Sequence, residues 1–314
     1  MSASLRVYEV GPRDGLQNEA APIATAAKQA LIAGLVAAGL PAIELTSFVN
    51  PKAVPQMADA DEVMAHTLAQ FNAGRTQFTG LIFNERGYER AVAAGCANFA
   101  VGAAVSDSFS RANTGMSAQE ALAMCRKLVG WARRDGHWVR AYLSTAWVCP
   151  FEGPVPPNKT IAYAEALWSA GLDELAISDT IGHADPLAVG RLMEALGKRL
   201  DMGRLAVHLH DTQALGLANT TAAIQAGVRI HDASVGGLGG CPFAPGAAGN
   251  LATEDLVFLA YKLGLGTGVD LAALWQVVQQ VEKVVGRPVG GRIRAWWQSE
   301  GRLAKTGPRL PGPG

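Results

Sequence analysis

Two histidines separated by a single residue, His208 and His210, give the clearest sign of chemistry in this sequence of 314 residues. They end a short apolar run that is typical of a β-strand, and residues two apart in a strand point to the same face. Both imidazoles can therefore reach one metal ion. Neighbouring histidines can also be ordinary polar residues satisfied by their surroundings, so a metal site needs further ligands.

Such ligands follow the first and the last of the apolar runs. Asp14 comes after the first run, and Asn250 comes after the last. In a closed barrel these runs are neighbouring strands, so their side chains can converge with the histidines. A mixed nitrogen and oxygen set with positions left for water suits Mg²⁺ or Mn²⁺ better than a structural zinc. The sequence therefore predicts a divalent metal held by Asp14, His208, His210 and Asn250.

A glycine-rich loop from Gly236 to Asn250 carries the second candidate, Cys241. Glycines are often plain loop residues. A thiol on a loop that closes over an active site can, however, donate a proton to a carbanion or act as a nucleophile. Cys149 also follows a strand and is the competing thiol. The other two cysteines lie in apolar contexts that indicate core packing.

Eight short apolar runs alternate with longer Ala- and Leu-rich amphipathic segments, a pattern typical of βα units with a parallel sheet. The predicted strands are Leu5–Val10, Ala42–Thr46, Gln77–Ile82, Asn98–Ala103, Val139–Ser144, Glu174–Asp179, Leu205–His210 and Val228–Val235. The predicted helices include Thr25–Ala38, Glu85–Ala94, Ala118–Arg134, Ile161–Ala170, Ala188–Leu196 and Gly216–Ala226.

Four of these helices end in an Ala-Gly pair before the next strand, where glycine supplies a left-handed C-cap. This repeated feature favours an α/β fold of the TIM (β/α)8 barrel type over a doubly wound sheet. Leu251–Leu263 and Leu271–Val285 are predicted as extra C-terminal helices. Because chemistry in such barrels lies at the carboxyl ends of the strands, the histidine pair is well placed for it.

Composition limits the partners. Hydrophobic residues make up 49% of the chain, and equal numbers of basic and acidic residues give a net charge of zero. We therefore expect small-molecule partners and neither nucleic acid nor a membrane. Residues 1–305 are expected to form a single domain, and residues 306–314, rich in Gly and Pro, a disordered tail. No segment has the pattern of a signal peptide, and the cysteines form no CxxC pair, so a cytoplasmic protein with reduced thiols is expected.

Four motifs strongly resemble the hydroxymethylglutaryl-CoA lyase family, whose metal-dependent members share an Arg-Asp-Gly motif after the first strand. They are Gly11 to Glu19, Thr46 to Met57, His208 to Thr212 and Gly239 to Asp255. The resemblance extends from about Val7 to about Gly268 without a large gap.

The resemblance implies the same four metal ligands and a reaction on an acyl-CoA substrate. It implies catalytic roles for Arg13, Cys241, Asp179 and Glu44, and substrate-binding positions at Arg13, Gln17, Arg140, Tyr142 and Thr180. The reaction would be retro-Claisen cleavage of 3-hydroxy-3-methylglutaryl-CoA to acetyl-CoA and acetoacetate, as in leucine degradation and ketone-body formation. A homodimer is also implied.

The expected chemistry agrees with these residues. Metal coordination lowers the pKa of the tertiary hydroxyl. Arg13 can stabilise the enolate that forms on the thioester oxygen, and Cys241 can protonate the enolate carbon. Asp14 or Asp179 can accept the hydroxyl proton, and the sequence does not choose between them.

Three departures from the family pattern leave the acyl group open. Bulky Trp147 and Val148 precede Cys149 where glycine is usual, Ser178 replaces a common glycine, and Phe83 stands where many members have proline. A related branched 3-hydroxy-acyl-CoA is therefore an alternative substrate. A Claisen-type synthase is disfavoured because those enzymes typically have His-x-His-Asn-Asp where this chain has His-Leu-His-Asp-Thr. A catalytically inactive binding protein is disfavoured because all the candidate ligands are present.

Overall fold

Eight parallel strands close into a barrel in the computed structural model, which describes residues 4–71, 74–240 and 249–303. The barrel strands are β1 (Arg6–Glu9), β2 (Ala42–Ser47), β3 (Gln77–Leu81), β4 (Asn98–Ala104), β5 (Trp138–Ser144), β8 (Glu174–Asp179), β9 (Leu205–Leu209) and β10 (Ile230–Ala233). Between β5 and β8, the two-residue strands β6 (Val148–Cys149) and β7 (Gly153–Pro154) form a small antiparallel pair. The strand order β1-β10-β9-β8-β5-β4-β3-β2 confirms the predicted TIM barrel.

Helices surround the barrel. They are α1 (Thr25–Ala37), α2 (Ala60–Phe71), α3 (Glu85–Ala93), α4 (Asp107–Thr114), α5 (Ala118–Arg134), α6 (Pro157–Trp168), α7 (Pro186–Gly197), α8 (Gly216–Gln225), α9 (Thr253–Lys262), α10 (Leu271–Val285) and α11 (Arg294–Leu303). The sequence placed the starts of α6 and α7 too late, because proline was not counted as the first residue of a helix, a position that it favours. It did not place α2, the polar α4 or α11.

The helix-to-strand turns follow the prediction. Each of the four predicted cap glycines has a positive φ, between 85° and 105° (Gly39, Gly95, Gly171 and Gly227). A residue with a Cβ would be strained in this conformation, so these glycines are needed for the chain to leave one helix and enter the next strand. Within the described residues, no helix has the length and apolar character needed to cross a membrane.

The barrel interior holds buried charged residues beside a small apolar cluster, whereas the layer between strands and helices is apolar. Arg140 is completely buried, and its guanidinium carbon lies 3.7 Å from the ring centre of Tyr8. Its nitrogens lie 2.9 Å from Asp232 and 3.0 Å from Glu174, and Arg6 pairs with the other oxygen of Glu174 at 2.8 Å. TIM-barrel interiors are usually filled by branched apolar residues, so this column of alternating charges is a distinguishing feature.

Candidate metal centre and active site

A π-helical turn, Gly11–Gly15, follows β1 and carries Asp14 into the barrel mouth. The carbonyl of Val10 accepts the amides of residues 13, 14 and 15 at 2.7–3.2 Å. The turn needs small residues, because a Cβ on Gly15 would lie 2.8 Å from Cβ of Leu238 and 2.9 Å from Oγ of Ser234. Close packing against the chain that follows β10 therefore fixes the direction of Asp14.

The two histidines at the end of β9 are held through the same ring atom. Nδ1 of His208 lies 3.1 Å from Oδ2 of Asp232, and Nδ1 of His210 lies 3.0 Å from the carbonyl oxygen of Asp179. A carboxylate and a carbonyl only accept, so in each neutral imidazole Nδ1 carries the proton and Nε2 keeps its lone pair. Nε2 of His208 lies 3.8 Å from Oδ2 of Asp14.

Asp14, His208 and His210 fit a divalent cation. Their potential ligand atoms all lie within 4.8 Å of one another. A cation about 2.1 Å from each donor needs neighbouring donors about 3 Å apart, so small side-chain movements suffice. Burial and the neighbouring His208 lower the pKa of His210 to about 4. Burial opposes ionisation of Asp14, but Arg13 and the histidines outweigh it and lower its pKa to about 2. Both residues thus have the ligating protonation state at neutral pH.

Asn250 is brought to this cluster by backbone pairing. The amide of Asp211 donates to Gly249, and the amide of Leu251 donates to Leu209, so the segment lies beside the end of β9. Nδ2 of Asn250 donates to Oδ2 of Asp14 at 2.7 Å. A metal would require the amide oxygen instead, so the side-chain amide would have to make a half-turn and give up the bond that Nδ2 donates to the carbonyl of Leu238 at 3.0 Å. Ligation by Asn250 therefore stays a prediction.

Arg13 lies beside Asp14 over a buried carboxylate. Its Nε donates to Glu44, its Nη1 donates to Asp14, and its guanidinium carbon lies 5.4 Å from the ring centre of Tyr142. Glu44 has no exposed surface and also accepts from the hydroxyl of Tyr142 at 2.9 Å. Glu44 therefore fixes the position of Arg13 and Tyr142 from below the mouth.

A pocket of about 160 Å³ opens above the cluster. Its polar lining includes Gln17, Ser144, Ser178 and Thr180, and α4 adds Ser110, Asn113 and Thr114. Its apolar lining includes Phe83, Gly102, Ala103, Phe109 and Ala121. Arg13, Asp14, Tyr142 and both histidines also line it. Most of the predicted site residues are thus brought together around one cavity.

Arg140 and Asp179 do not line this pocket. Arg140 points into the barrel like Tyr142, but it lies two residues earlier on β5 and therefore one layer deeper. Both carboxylate oxygens of Asp179 accept backbone amides, those of His183 at 3.0 Å and Ala184 at 3.1 Å. Cys241 lies outside the described residues. Cys149 is buried, with 2% of its surface exposed.

The sequence did not single out Asp232 or Glu9, two buried carboxylates that hold the site. Asp232 contacts Nδ1 of His208, and one oxygen of Glu9 accepts the amides of Gly11 at 2.7 Å and Val235 at 2.9 Å. The other oxygen of Glu9 accepts the hydroxyl of Thr253. The sequence signal for both is an acidic residue inside a predicted strand, Glu9 in Leu5–Val10 and Asp232 in Val228–Val235.

The fold is a TIM barrel, and its C-terminal mouth holds an aspartate and two histidines next to an arginine. Barrel proteins of this class can bind a divalent metal together with a carbonyl compound. The HMGL-like family model matches residues 4–281, and the chain belongs to this family.

Similar proteins agree over almost the whole chain. The hydroxymethylglutaryl-CoA lyase of Pseudomonas mevalonii is 43% identical and is matched over 96% of this chain and 99% of its own. The crystal structure of the HMG-CoA lyase of Bacillus subtilis superimposes with a TM-score of 0.90 at 38% identity, covering 95% of this chain and 100% of that chain. An Acinetobacter baumannii HMG-CoA lyase in complex with coenzyme A and 3-methylmalate gives 0.88 at 33% identity, covering 99% and 100%. These findings confirm the resemblance seen in the motifs.

Proposed function

We propose that this protein is a metal-dependent carbon–carbon lyase that cleaves 3-hydroxy-3-methylglutaryl-CoA to acetyl-CoA and acetoacetate. The observation that carries the proposal is the placement of Arg13 directly beside the Asp14, His208 and His210 cluster at the floor of one pocket. The full-length similarity to lyases of this name supports the reaction, and the relative that holds coenzyme A supports an acyl-CoA substrate.

A divalent cation held by Asp14 and the two histidines, with Asn250 as a further ligand through its oxygen, would lower the pKa of the substrate hydroxyl. Mg²⁺ and Mn²⁺ both accept this mixed nitrogen and oxygen set.

Arg13 stabilises the charge that develops on the thioester oxygen. Its guanidinium is held on one side by Glu44, so it is oriented before the substrate arrives. Charge on that oxygen is greater in the enolate than in the bound thioester, so the interaction favours the transition state.

Asp14 is the favoured acceptor of the hydroxyl proton, directly or through water. Of the two candidates only Asp14 lines the pocket, whereas the oxygens of Asp179 are engaged by loop amides. Burial raises the pKa of Asp179, and its place beside His210 favours a role in holding that ligand. Protonation of the enolate by Cys241 remains a prediction.

The test is product analysis by mass spectrometry. Purified protein is incubated with 3-hydroxy-3-methylglutaryl-CoA, or with an analogue carrying a longer 3-substituent, in Mg²⁺, Mn²⁺ or chelator. Acetyl-CoA and acetoacetate should form only with metal, and faster from the first substrate. Failure to release acetyl-CoA from either ester would refute the lyase proposal, and preference for the longer ester would reassign the substrate.

The cytoplasmic location, the homodimer, the single domain over residues 1–305 and a place in leucine degradation and ketone-body formation are also proposed. Family resemblance supports the dimer and the pathway, and light scattering tests the dimer directly.

A further inference from the structure

The buried charges inside the barrel form a continuous column that ends at the metal centre. Starting at the bottom, Arg6 pairs with Glu174, Glu174 with Arg140, Arg140 with Asp232, and Asp232 with His208. Asp232 is 2% exposed, Glu174 is 2% exposed and Arg140 is fully buried. Nothing in the chemistry proposed above uses Asp232, yet its carboxylate contacts a predicted metal ligand, His208.

The two oxygens of Asp232 have separate partners. Oδ1 accepts from Nη2 of Arg140 at 2.9 Å, and Oδ2 lies 3.1 Å from Nδ1 of His208. A guanidinium can only donate, so Arg140 fixes which way the carboxylate faces. The second oxygen must then accept the Nδ1 proton of His208, which leaves the lone pair on Nε2.

We propose that Asp232 is a positioning residue that holds His208 in the tautomer able to ligate the cation, and that Arg140 holds Asp232 in turn. The proposal rests on the metal centre proposed above. Hydrogen bonds from a metal-binding histidine to a carboxylate generally fix the ring and raise the basicity of the ligand nitrogen. His210 is held by the carbonyl of Asp179, a backbone group that substitution cannot remove, so Asp232 is the partner open to experiment.

Asp232→Asn tests the proposal with almost no change in shape. Arg140 still needs an acceptor, so the amide oxygen should face Arg140 and the amide NH₂ should face His208. An NH₂ group requires a lone pair on Nδ1, which moves the imidazole proton to Nε2, the metal side. Mn²⁺ affinity, measured by electron paramagnetic resonance without substrate, should fall by about 10- to 100-fold.

Glu174→Gln is the matched control. Like Asp232→Asn, it removes one carboxylate charge next to Arg140, and Glu174 is as buried as Asp232. Glu174 pairs with Arg140 and Arg6 and does not contact His208. Thermal melting reports the structural cost of both substitutions. In Glu174→Gln, the Mn²⁺ affinity should stay within about 3-fold of the wild-type value, which is much less than the loss of about 10- to 100-fold expected for Asp232→Asn.

A direct readout uses ¹⁵N-histidine NMR of the metal-free protein. His208 should carry its proton on Nδ1 in the wild type and on Nε2 in Asp232→Asn. The proposal is overturned if the wild type has the Nε2 proton, if Asp232→Asn binds Mn²⁺ like the wild type, or if Glu174→Gln loses as much affinity. The NMR result on the wild type decides the question even if Asp232→Asn does not fold. A wild type that binds no Mn²⁺ would instead refute the metal centre itself.

Discussion

Gly15→Ala should damage the metal centre by moving the turn that carries Asp14. The added Cβ would lie 2.8 Å from Cβ of Leu238 and 2.9 Å from Oγ of Ser234, where normal contacts are about 3.5–4.0 Å. Because these neighbours are short side chains close to the backbone, the turn itself must shift by about 1 Å. A displacement of that size at an active site can reduce activity by about 100-fold, and overpacking costs about 1–3 kcal/mol of stability.

The assay compares kcat/KM, Mn²⁺ affinity and the free energy of unfolding for wild type, Gly15→Ala and a control. Gly130→Ala is the control, because Gly130 lies in α5 and its added Cβ would meet no atom within 4 Å. Alanine in a helix interior should stabilise this variant by about 1 kcal/mol and leave activity unchanged. Wild-type kcat/KM and Mn²⁺ affinity in Gly15→Ala would refute the claim that packing against Leu238 positions Asp14.

Four further perturbations test the site and its supports. Chelation should abolish turnover, and added Mg²⁺ or Mn²⁺ should restore it; full activity in the chelated enzyme would contradict a metal requirement. His208→Ala should not be rescued by metal, and its free energy of unfolding should fall by about 1–3 kcal/mol because Oδ2 of the buried Asp232 loses its hydrogen bond to Nδ1 of His208. Arg13→Lys should lower kcat by about 100-fold or more, and a change confined to KM would show that Arg13 only binds substrate. Burial raises the pKa of Glu9 from 4.5 to about 7. Between these values the folded protein holds a proton that the unfolded chain releases, so the folded state loses stability as the pH rises. From about pH 4.5 to about pH 7.5, the free energy of unfolding of the wild type should fall by about 3 kcal/mol relative to that of Glu9→Gln. The free energies of unfolding are measured by urea titration at each pH. A difference between the two proteins that stays constant across that pH range would refute the raised pKa of Glu9.

The barrel and half of the site could be predicted because their signals are local. A strand of period two places His208 and His210 on one face, and glycine after each helix marks the turn into the next strand. The Asp14 turn follows directly from the end of β1. In each case, neighbouring residues in the chain carry the information.

The supporting carboxylates could not be predicted because their partners are distant in sequence. Asp232 contacts a histidine 24 residues away, and Glu9 contacts Val235 and Thr253, which are 226 and 244 residues away. Arg140 shows a related limit. Its position on an inward face was predictable, but its depth in the barrel depends on how Tyr8, Glu174 and Asp232 fill the layer around it.

The charged column also explains why a cation belongs at the mouth. With all of them ionised, the ion-paired groups of the column and the mouth are four carboxylates (Asp14, Glu44, Glu174 and Asp232) and three guanidinium groups (Arg6, Arg13 and Arg140). They leave one negative charge in a region from which water is largely excluded, where charge is costly unless it is paired. A divalent cation reverses the sign of that charge and makes the mouth attractive to an anionic acyl group. The residues that hold the histidines in place therefore also set the field in which metal and substrate bind.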